Sequence, residues 1–163
     1  MRIRLLAVLG LWLCLFSPAV WAMGSRKEKA SVSFHLEALA EENPKMIFQH
    51  DVAGAMHTFR RLPDFSIKDM AAFTPFEDAN GELGIVFRVK SRAVNRLAAL
   101  TGDNPDQLLL AVVNGRPVDA VRIDRQIRDG VLVVWKGVSL QDIELLDEVL
   151  PRAGDAENKK KKR

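Results

Sequence analysis

The stretch 107-QLLLAVVNGRPVDAVRI-123 decides the fold. An uninterrupted apolar run from Leu108 to Val113 leads into Asn114-Gly115, and Arg116 to Ile123 follows. Asn-Gly tolerates the positive φ angles that a two-residue primed turn requires, so the stretch predicts a β-hairpin. Pro117 cannot donate to a strand ladder, and we expect it to point outward near the turn.

Two amphipathic helices flank this hairpin in the sequence. Ser91 is expected to cap a helix that runs to about Thr101, with Gly102 as its stop. Ser139 is expected to begin a second helix that ends at Pro151. Their buried faces follow from three- and four-residue spacing: Val94, Leu97, Ala98 and Thr101 in the first helix, and Leu140, Ile143, Leu146 and Leu150 in the second.

Short apolar or alternating segments predict further strands. They are Ser31 to Ala38, Met46 to Val52, Met70 to Phe76, Leu83 to Lys90 and, as a central strand, Val131 to Trp135. The segment 53–69 is predicted to be an ordered loop with some apolar anchors, and 78–81 a turn. After residue 83 the order is strand, helix, three strands, helix. This order predicts an α+β fold with two layers: a mainly antiparallel sheet and two helices on one face.

The first 22 residues have the pattern of a secretory signal peptide. Arg2 and Arg4 precede an apolar run from Leu5 to Phe16, and Val20 and Ala22 suit a small-residue cleavage site. The alternative is a retained membrane anchor, which needs about 20 uninterrupted apolar residues. We therefore expect cleavage after Ala22 and an extracytoplasmic protein, in the periplasm or secreted.

The remainder of the chain is expected to form one domain between two polar ends. A charged linker covers 23–30, a single α+β domain covers 31–152, and a disordered basic tail covers 153–163. Cys14 is the only cysteine and lies in the leader, so the processed chain has no disulfide, thiolate ligand or cysteine nucleophile.

The basic charge of this chain lies at its two ends. The sequence has 24 Lys and Arg against 21 Asp and Glu, but Arg2 and Arg4 belong to the leader and 159–163 is entirely basic. Between these ends acidic residues outnumber basic ones. The charge therefore gives no reason to expect a nucleic-acid partner.

The segment 83–152 resembles the periplasmic head domain of SecD-type protein-export subunits. The resemblance is carried by turn and core residues: Gly84-Ile85-Val86-Phe87, Leu97-Ala98-Ala99-Leu100-Thr101, the run from Leu110 to Arg116, Ile127-Arg128-Asp129-Gly130, Val133 to Gly137 and the helix from Ser139. It implies a ferredoxin-like α+β domain outside the cytoplasmic membrane, where the family is thought to handle emerging polypeptide. SecD-type proteins carry several membrane spans, whereas none is expected here after leader cleavage. The resemblance therefore implies a free-standing secreted relative.

No catalytic, cofactor or metal residues are assigned from the sequence. His35 and His50 are expected on the solvent side of their strands, and neither they nor His57 show helical metal-ligand spacing. Some serines and acids are of types that could act in catalysis, but we expect them to be helix caps or loop residues. They are Ser66, Ser91, Ser139, Asp64 with Asp69, and Asp103 with Asp106.

Two features have a composition suited to binding. A protein-contact loop is suggested by Phe59, Arg60, Arg61 and Phe65, which mix aromatic and arginine side chains. The alternative is a loop folded over the sheet, with Phe59 and Phe65 as core anchors. The second feature is an anionic-surface tail, Lys159, Lys160, Lys161, Lys162 and Arg163; its alternative is a solvated tail.

These observations together predict a secreted, non-enzymatic α+β domain that contacts proteins or unfolded polypeptide in the cell envelope. Open sheet edges could accept an extended peptide. The alternative is a small extracytoplasmic hydrolase or ligand-binding protein with a site in the 53–82 region, which a pocket with convergent polar groups would indicate.

Overall fold

The computed structural model describes residues 29–39 and 42–154. The leader 1–22, most of the linker 23–30 and the tail from 155 onward lie outside the described residues. Within the described ranges the elements are β1 (Val32–Leu36), β2 (Ile47–Val52), β3 (Ala55–Arg60), β4 (Phe65–Ser66), β5 (Met70–Glu77), β6 (Leu83–Val89), α1 (Ser91–Asp103), β7 (Leu108–Val113), β8 (Arg116–Arg122), β9 (Val131–Val134) and α2 (Leu140–Asp147).

The strands form three antiparallel sheets. A four-stranded sheet has the order β4-β1-β7-β8, a three-stranded sheet has the order β5-β6-β9, and β2 pairs with β3 alone. The predicted fold class, two-layer α+β built on antiparallel strands, is confirmed.

The β7–β8 hairpin forms at the predicted position. Val113 pairs with Arg116 across the turn, where Asn114 and Gly115 have φ angles of 49° and 77°. Gly115 adopts such an angle at little cost because it has no Cβ. Pro117 is exposed, as expected, and β8 has no second strand partner within the described residues.

The main hydrophobic core lies between the four- and three-stranded sheets and the two helices. Alternation along β1 buries Val32, Phe34 and Leu36 on one face, as the period-two pattern predicts. The other sides of this core come from Leu109, Ala111, Ile85, Phe87, Leu132, Val134, Ala93, Leu97, Ile143 and Leu146. On the opposite face of the four-stranded sheet, the β2–β3 hairpin covers Leu108 and Leu110 with Phe59.

The prediction of a loop over 53–69 is wrong. Residues 55–60 form β3, which turns back on β2 at Ala53 and Gly54, and 65–66 form β4. Asp51 Oδ1 accepts a hydrogen bond from the Gly54 N–H at 3.0 Å and stabilises this turn. The physical reason is burial, because Phe59 anchors β3 on the second face of the sheet.

Both helices differ from the predicted boundaries. The N-cap of α1 is Lys90 rather than Ser91, without a side-chain cap, and the helix continues through Gly102 to Asp103. Helix α2 begins after Ser139 as predicted but ends at Asp147, before Pro151. Leu140, expected in the buried stripe, is 67% exposed because it is the first residue of a short helix.

Strand β9 lies at the edge of its sheet, so the prediction of a central strand is wrong. Its apolar run is explained by packing on its two faces, since Leu132 and Val134 enter the core while Val131 and Val133 are half-buried. Over the described parts of the chain, no helix has the length and apolarity to cross a bilayer.

Candidate functional site

A cleft of about 580 Å³ lies between the end of β8, the segment 123–130 and β9. We call it the β8–β9 cleft. The buried side chains of Phe34, Leu109 and Ala111 lie at its bottom. Further apolar lining comes from Val121, Ile123, Ile127, Val131, Leu132, Val133 and Trp135, and the rim carries Arg122, Asp124, Arg125, Arg128 and Asp129. Ligand sites in proteins commonly enclose about 300–1,000 Å³ and have this mainly apolar lining.

The connection between β8 and β9 is held on α1 instead of closing a tight hairpin. The Ile127 N–H donates to Thr101 Oγ1 at 2.8 Å, and the Thr101 hydroxyl donates to the Leu97 carbonyl at 2.8 Å. Gln126 Nε2 also donates to the Ala98 carbonyl at 2.9 Å. Thr101 is almost fully buried. These contacts keep the segment 123–130 on the helix and leave the cleft between the two strands.

Asp119 bridges the two strands at the other end of the cleft. Its Oδ2 accepts from the Trp135 N–H at 2.8 Å, and its Oδ1 accepts from the Ala120 N–H at 3.0 Å. A Cβ added at Gly137 would clash with the Val118 carbonyl oxygen, so the two backbones approach closely here. Trp135 is 56% exposed beside the cleft, and its ring meets Phe76 edge-on at a centroid distance of 5.8 Å.

The edge of β9 faces the cleft with few free hydrogen-bonding groups. Backbone groups of an antiparallel strand point alternately to its two sides. The Gly130 carbonyl accepts a hydrogen bond from the Val89 N–H at 2.9 Å. By alternation, the backbone N–H and C=O groups of residues 132 and 134 face β6, and those of residues 131, 133 and 135 point away from it. Asp129 Oδ1 accepts from the Val131 N–H at 3.1 Å, and Asp119 holds the Trp135 N–H. Among the outward-pointing residues of this edge that the structure describes, Val133 is the one whose N–H has no partner.

A buried carboxylate fixes the β7–β8 turn to α2 and thereby positions β8. Asp142 accepts from Asn114 Nδ2 at 2.8 Å, from Arg116 at 2.6 Å and from the Ser139 hydroxyl at 2.7 Å. Burial by itself raises the pKa of Asp142, but the hydrogen bonds from Ser139 and Asn114 and the charge of Arg116 outweigh it and lower the pKa.

The four residues of the suggested contact loop lie partly in the core. Phe59 and Phe65 are fully buried, which agrees with the core-anchor alternative. Arg60 is half-buried between Glu42 at 2.9 Å and Asp64 at 3.4 Å. Arg61 is exposed and donates to the Ile47 carbonyl at 2.9 Å. The basic tail, Lys159 to Arg163, lies outside the described residues.

The three histidines lie on or below the β2–β3 hairpin. His35 is buried, contrary to the solvent-facing position expected for it, because the hairpin covers its face of the sheet. Its ring nitrogens lie 2.8 Å from Ser33 Oγ and 2.8 Å from the Arg60 carbonyl oxygen. His57 Nδ1 lies 2.7 Å from Glu37 Oε1. Burial raises the pKa of Glu37, and His57 and the Leu108 N–H lower it, with a net lowering.

Two candidate serines, Ser66 and Ser139, and two candidate acids, Asp64 and Asp69, have structural partners. Ser139 caps α2, and Ser66 forms a reciprocal cap with Asp69, which also pairs with Arg96 at 2.9 Å. Asp64 Oδ2 accepts from the Leu36 N–H at 3.0 Å. Within residues 29–39 and 42–154, no three His, Cys, Asp or Glu side chains are grouped to hold a metal ion.

A second, smaller cleft of about 290 Å³ lies between the β2–β3 turn and β8. His50, Asp51, Asp119 and Lys136 are its charged or titratable lining residues. Of the region 53–82, only Ala53 contributes to either cleft. The alternative site predicted there therefore has no counterpart in these two clefts.

Solved structures of SecDF have a similar fold. SecDF, described as a membrane component that enhances protein export, is 16% identical with a TM-score of 0.53 over 73% of this chain and 60% of that chain. SecDF in a super-membrane-facing form is 17% identical with a TM-score of 0.53 over 73% of this chain and 18% of that chain. The fold is similar to that of SecDF. No protein-family model matches the chain, and neither does any curated protein.

The similarity to SecDF extends beyond the segment in which the sequence resemblance was found. It covers 73% of the chain, a larger share than the segment 83–152 represents. At 16–17% identity the similarity to SecDF concerns the fold, and the chain spans 60% of the first SecDF chain's length.

Sequence reasoning did not find the β8–β9 cleft. Two local signals were available: Asp119 stands inside an otherwise largely apolar strand, and Trp135 follows directly after an apolar run yet is exposed. Neither signal identifies a partner residue. The cleft depends on the distance between strands of two different sheets, which no local pattern encodes.

Proposed function

We propose that this chain is a non-enzymatic, extracytoplasmic domain that binds unfolded polypeptide in the β8–β9 cleft. The observation that carries the proposal is an apolar cleft bordered by the edge of β9, a strand with a neighbour on one side only. Extended peptides are commonly recognised by pairing with such an edge while pockets take alternate side chains.

The lining suits an extended apolar segment better than a small polar substrate. The bottom of the cleft is formed by Phe34, Leu109 and Ala111, and the charged residues stand at the rim. The acids with perturbed pKa values, including Asp142 and Asp69, are held by structural partners outside the cleft. The lining of the cleft therefore offers apolar contact and backbone hydrogen bonding.

The similarity to SecDF supports an export-related role. SecDF is described as enhancing protein export, and this chain shares its fold over 73% of its length. The leader pattern of residues 1–22 supports the same location, since it predicts translocation with cleavage after Ala22. We propose a secreted protein related to SecDF. N-terminal sequencing of the protein from the cell envelope should begin at Met23, and cytosolic protein beginning at Met1 would contradict this location.

Trp135 provides a direct test of binding in the cleft. Of the three tryptophans, Trp12 and Trp21 lie in the leader, so Trp135 is the single tryptophan of the chain that begins at Met23. Titration with an eleven-residue peptide of alternating valine and threonine, with lysine at both ends, should shift its emission to shorter wavelength as the exposed ring is covered. A peptide of the same length with serine in place of valine should leave the emission unchanged.

A charge placed in the cleft should weaken peptide binding. Val133→Glu puts a carboxylate beside the apolar lining and should weaken peptide binding about tenfold or more, because an unpaired charge is costly to cover. Val149→Glu is the matched control, since Val149 is 50% exposed and lies outside the cleft. Equal affinity of the two variants would argue against the cleft as the binding site.

A further inference from the structure

The outward edge of β9 is largely occupied by two carboxylates. Asp129 holds the Val131 N–H at 3.1 Å and Asp119 holds the Trp135 N–H at 2.8 Å. Between them the N–H and C=O of Val133 point into the cleft. Among the described residues, no group is hydrogen-bonded to them. A strand edge therefore exists, but of the outward-pointing residues 131, 133 and 135 only Val133 has both its N–H and its C=O open.

Carboxylates on these amides have a specific consequence for a pairing strand. An incoming peptide would offer its carbonyl oxygens to the edge N–H groups, and each carboxylate places a negatively charged oxygen where that carbonyl would bind. Charged side chains at sheet edges are a known means of preventing indiscriminate strand pairing. The two acids limit pairing without blocking the apolar surface of the cleft.

Building on the proposed function, we propose that an extended apolar segment adds to β9 as an edge strand, pairing at Val133, and that Asp129 restricts the length of this pairing. The segment's alternate side chains lie on Phe34, Leu109 and Ala111. Its backbone meets β9 on one side. Because only a short ladder forms, the segment is released readily, as suits a domain that handles polypeptide in transit.

Backbone methylation of the probe peptide tests strand addition. In an extended peptide, successive N–H groups point to opposite sides, so valine and threonine amides face different edges. We compare two peptides, one methylated at all valine amides and one methylated at all threonine amides, and expect them to bind with different affinities. We expect one set to weaken binding about tenfold and the other to change it less than twofold. Equal losses, or no loss from either set, would overturn strand addition to β9.

Substitution of Asp129 tests the restriction. Asp129→Ala frees the Val131 N–H for one further hydrogen bond, and we expect binding of the unmethylated peptide to tighten roughly fivefold. Asp51→Ala is the matched control, because Asp51 also holds a backbone N–H, that of Gly54, but lies away from this cleft. It should change affinity less than twofold. Unchanged or weaker binding by a folded Asp129→Ala chain would overturn the restricting role.

The two proposals fail in distinguishable ways. If the unmethylated peptide produces no change in Trp135 emission, the proposed function fails. If it binds, and Val133→Glu weakens binding, but the two methylated peptides behave alike, the cleft binds polypeptide through side chains alone and only the strand-addition inference fails.

Discussion

Asp142 shows how one residue connects distant parts of this fold. It caps the N-terminus of α2 through Ser139 and also receives hydrogen bonds from Asn114 and Arg116 of the β7–β8 turn. Its carboxylate is buried, so it depends on these donors to offset the loss of hydration. The capping role is visible in the sequence as Ser139 with Asp142. The contact with the turn, 28 residues away, is not.

Replacing Asp142 should destabilise the chain. Asp142→Ala removes the charged acceptor of Ser139, Asn114 and Arg116, and we expect a loss of about 2 kcal/mol in the free energy of unfolding. Urea denaturation followed by circular dichroism measures this loss. Glu144→Gln is the control, since Glu144 is exposed on the same helix and should change stability by less than about 0.5 kcal/mol.

The lowered pKa of Asp142 also predicts a pH dependence. A carboxyl whose pKa is lower in the folded state contributes stability above its unfolded pKa, about 3.9, and loses that contribution as pH falls through the folded value. Between roughly pH 5 and roughly pH 2, the Asp142→Asn chain should therefore lose less stability than the unaltered chain does. An identical acid dependence in both chains would contradict the assignment. Part of the dependence remains in the variant, because the pKa values of Asp69 and Glu37 are also lowered.

At the scale of elements, the cleft exists because the segment 123–130 bonds to α1. Thr101 is central, since its hydroxyl donates to Leu97 and accepts from the Ile127 N–H. A helical threonine usually bonds only to a carbonyl one turn earlier. Here the second bond crosses to another element and determines the path between β8 and β9.

Thr101→Val should release this segment while preserving the shape of the side chain. The Ile127 N–H then lacks its acceptor, and we expect a loss of about 1–3 kcal/mol in stability. Hydrogen exchange should also accelerate at the Ile127 amide, measured by NMR. Thr101→Ser keeps the hydroxyl and should preserve protection at Ile127. Unchanged exchange in Thr101→Val would show that other contacts, such as Gln126 with Ala98, hold the segment.

At the scale of the whole molecule, charge and fold are separate properties. The basic residues 159–163 lie outside the described residues, whereas the body from 23 to 158 is net acidic. We propose that the tail attracts the protein to anionic envelope surfaces, at roughly 1 kcal/mol per basic residue close to a membrane. This attachment is independent of the β8–β9 cleft.

Deleting residues 159–163 tests this attachment. Sedimentation with vesicles containing anionic lipid should show salt-sensitive retention of the full chain and its loss after deletion. Neutral vesicles serve as the control and should retain neither form. Retention that survives the deletion and is insensitive to salt would eliminate the tail as the attachment element.

The sequence by itself determined the local elements of this protein. Alternation in β1, the Asn114-Gly115 turn and the Ser139 cap each follow from interactions among near neighbours, and each lies where the sequence predicts it. The two-layer α+β class follows from their order. The helix ends were predicted less well, because the final turns depend on weak local preferences at Ser91, Gly102 and Pro151.

Tertiary structure alone decided which faces and edges are covered. The β2–β3 hairpin is stabilised because Phe59 packs on the second face of the four-stranded sheet. The hairpin also buries His35 on that face. The edge position of β9, the Asp119 bridge and the β8–β9 cleft depend on contacts between separate sheets. Hydrophobic periodicity predicts that a side chain will be buried, but it does not predict which element will cover it. The candidate site depends on which elements pack against each other.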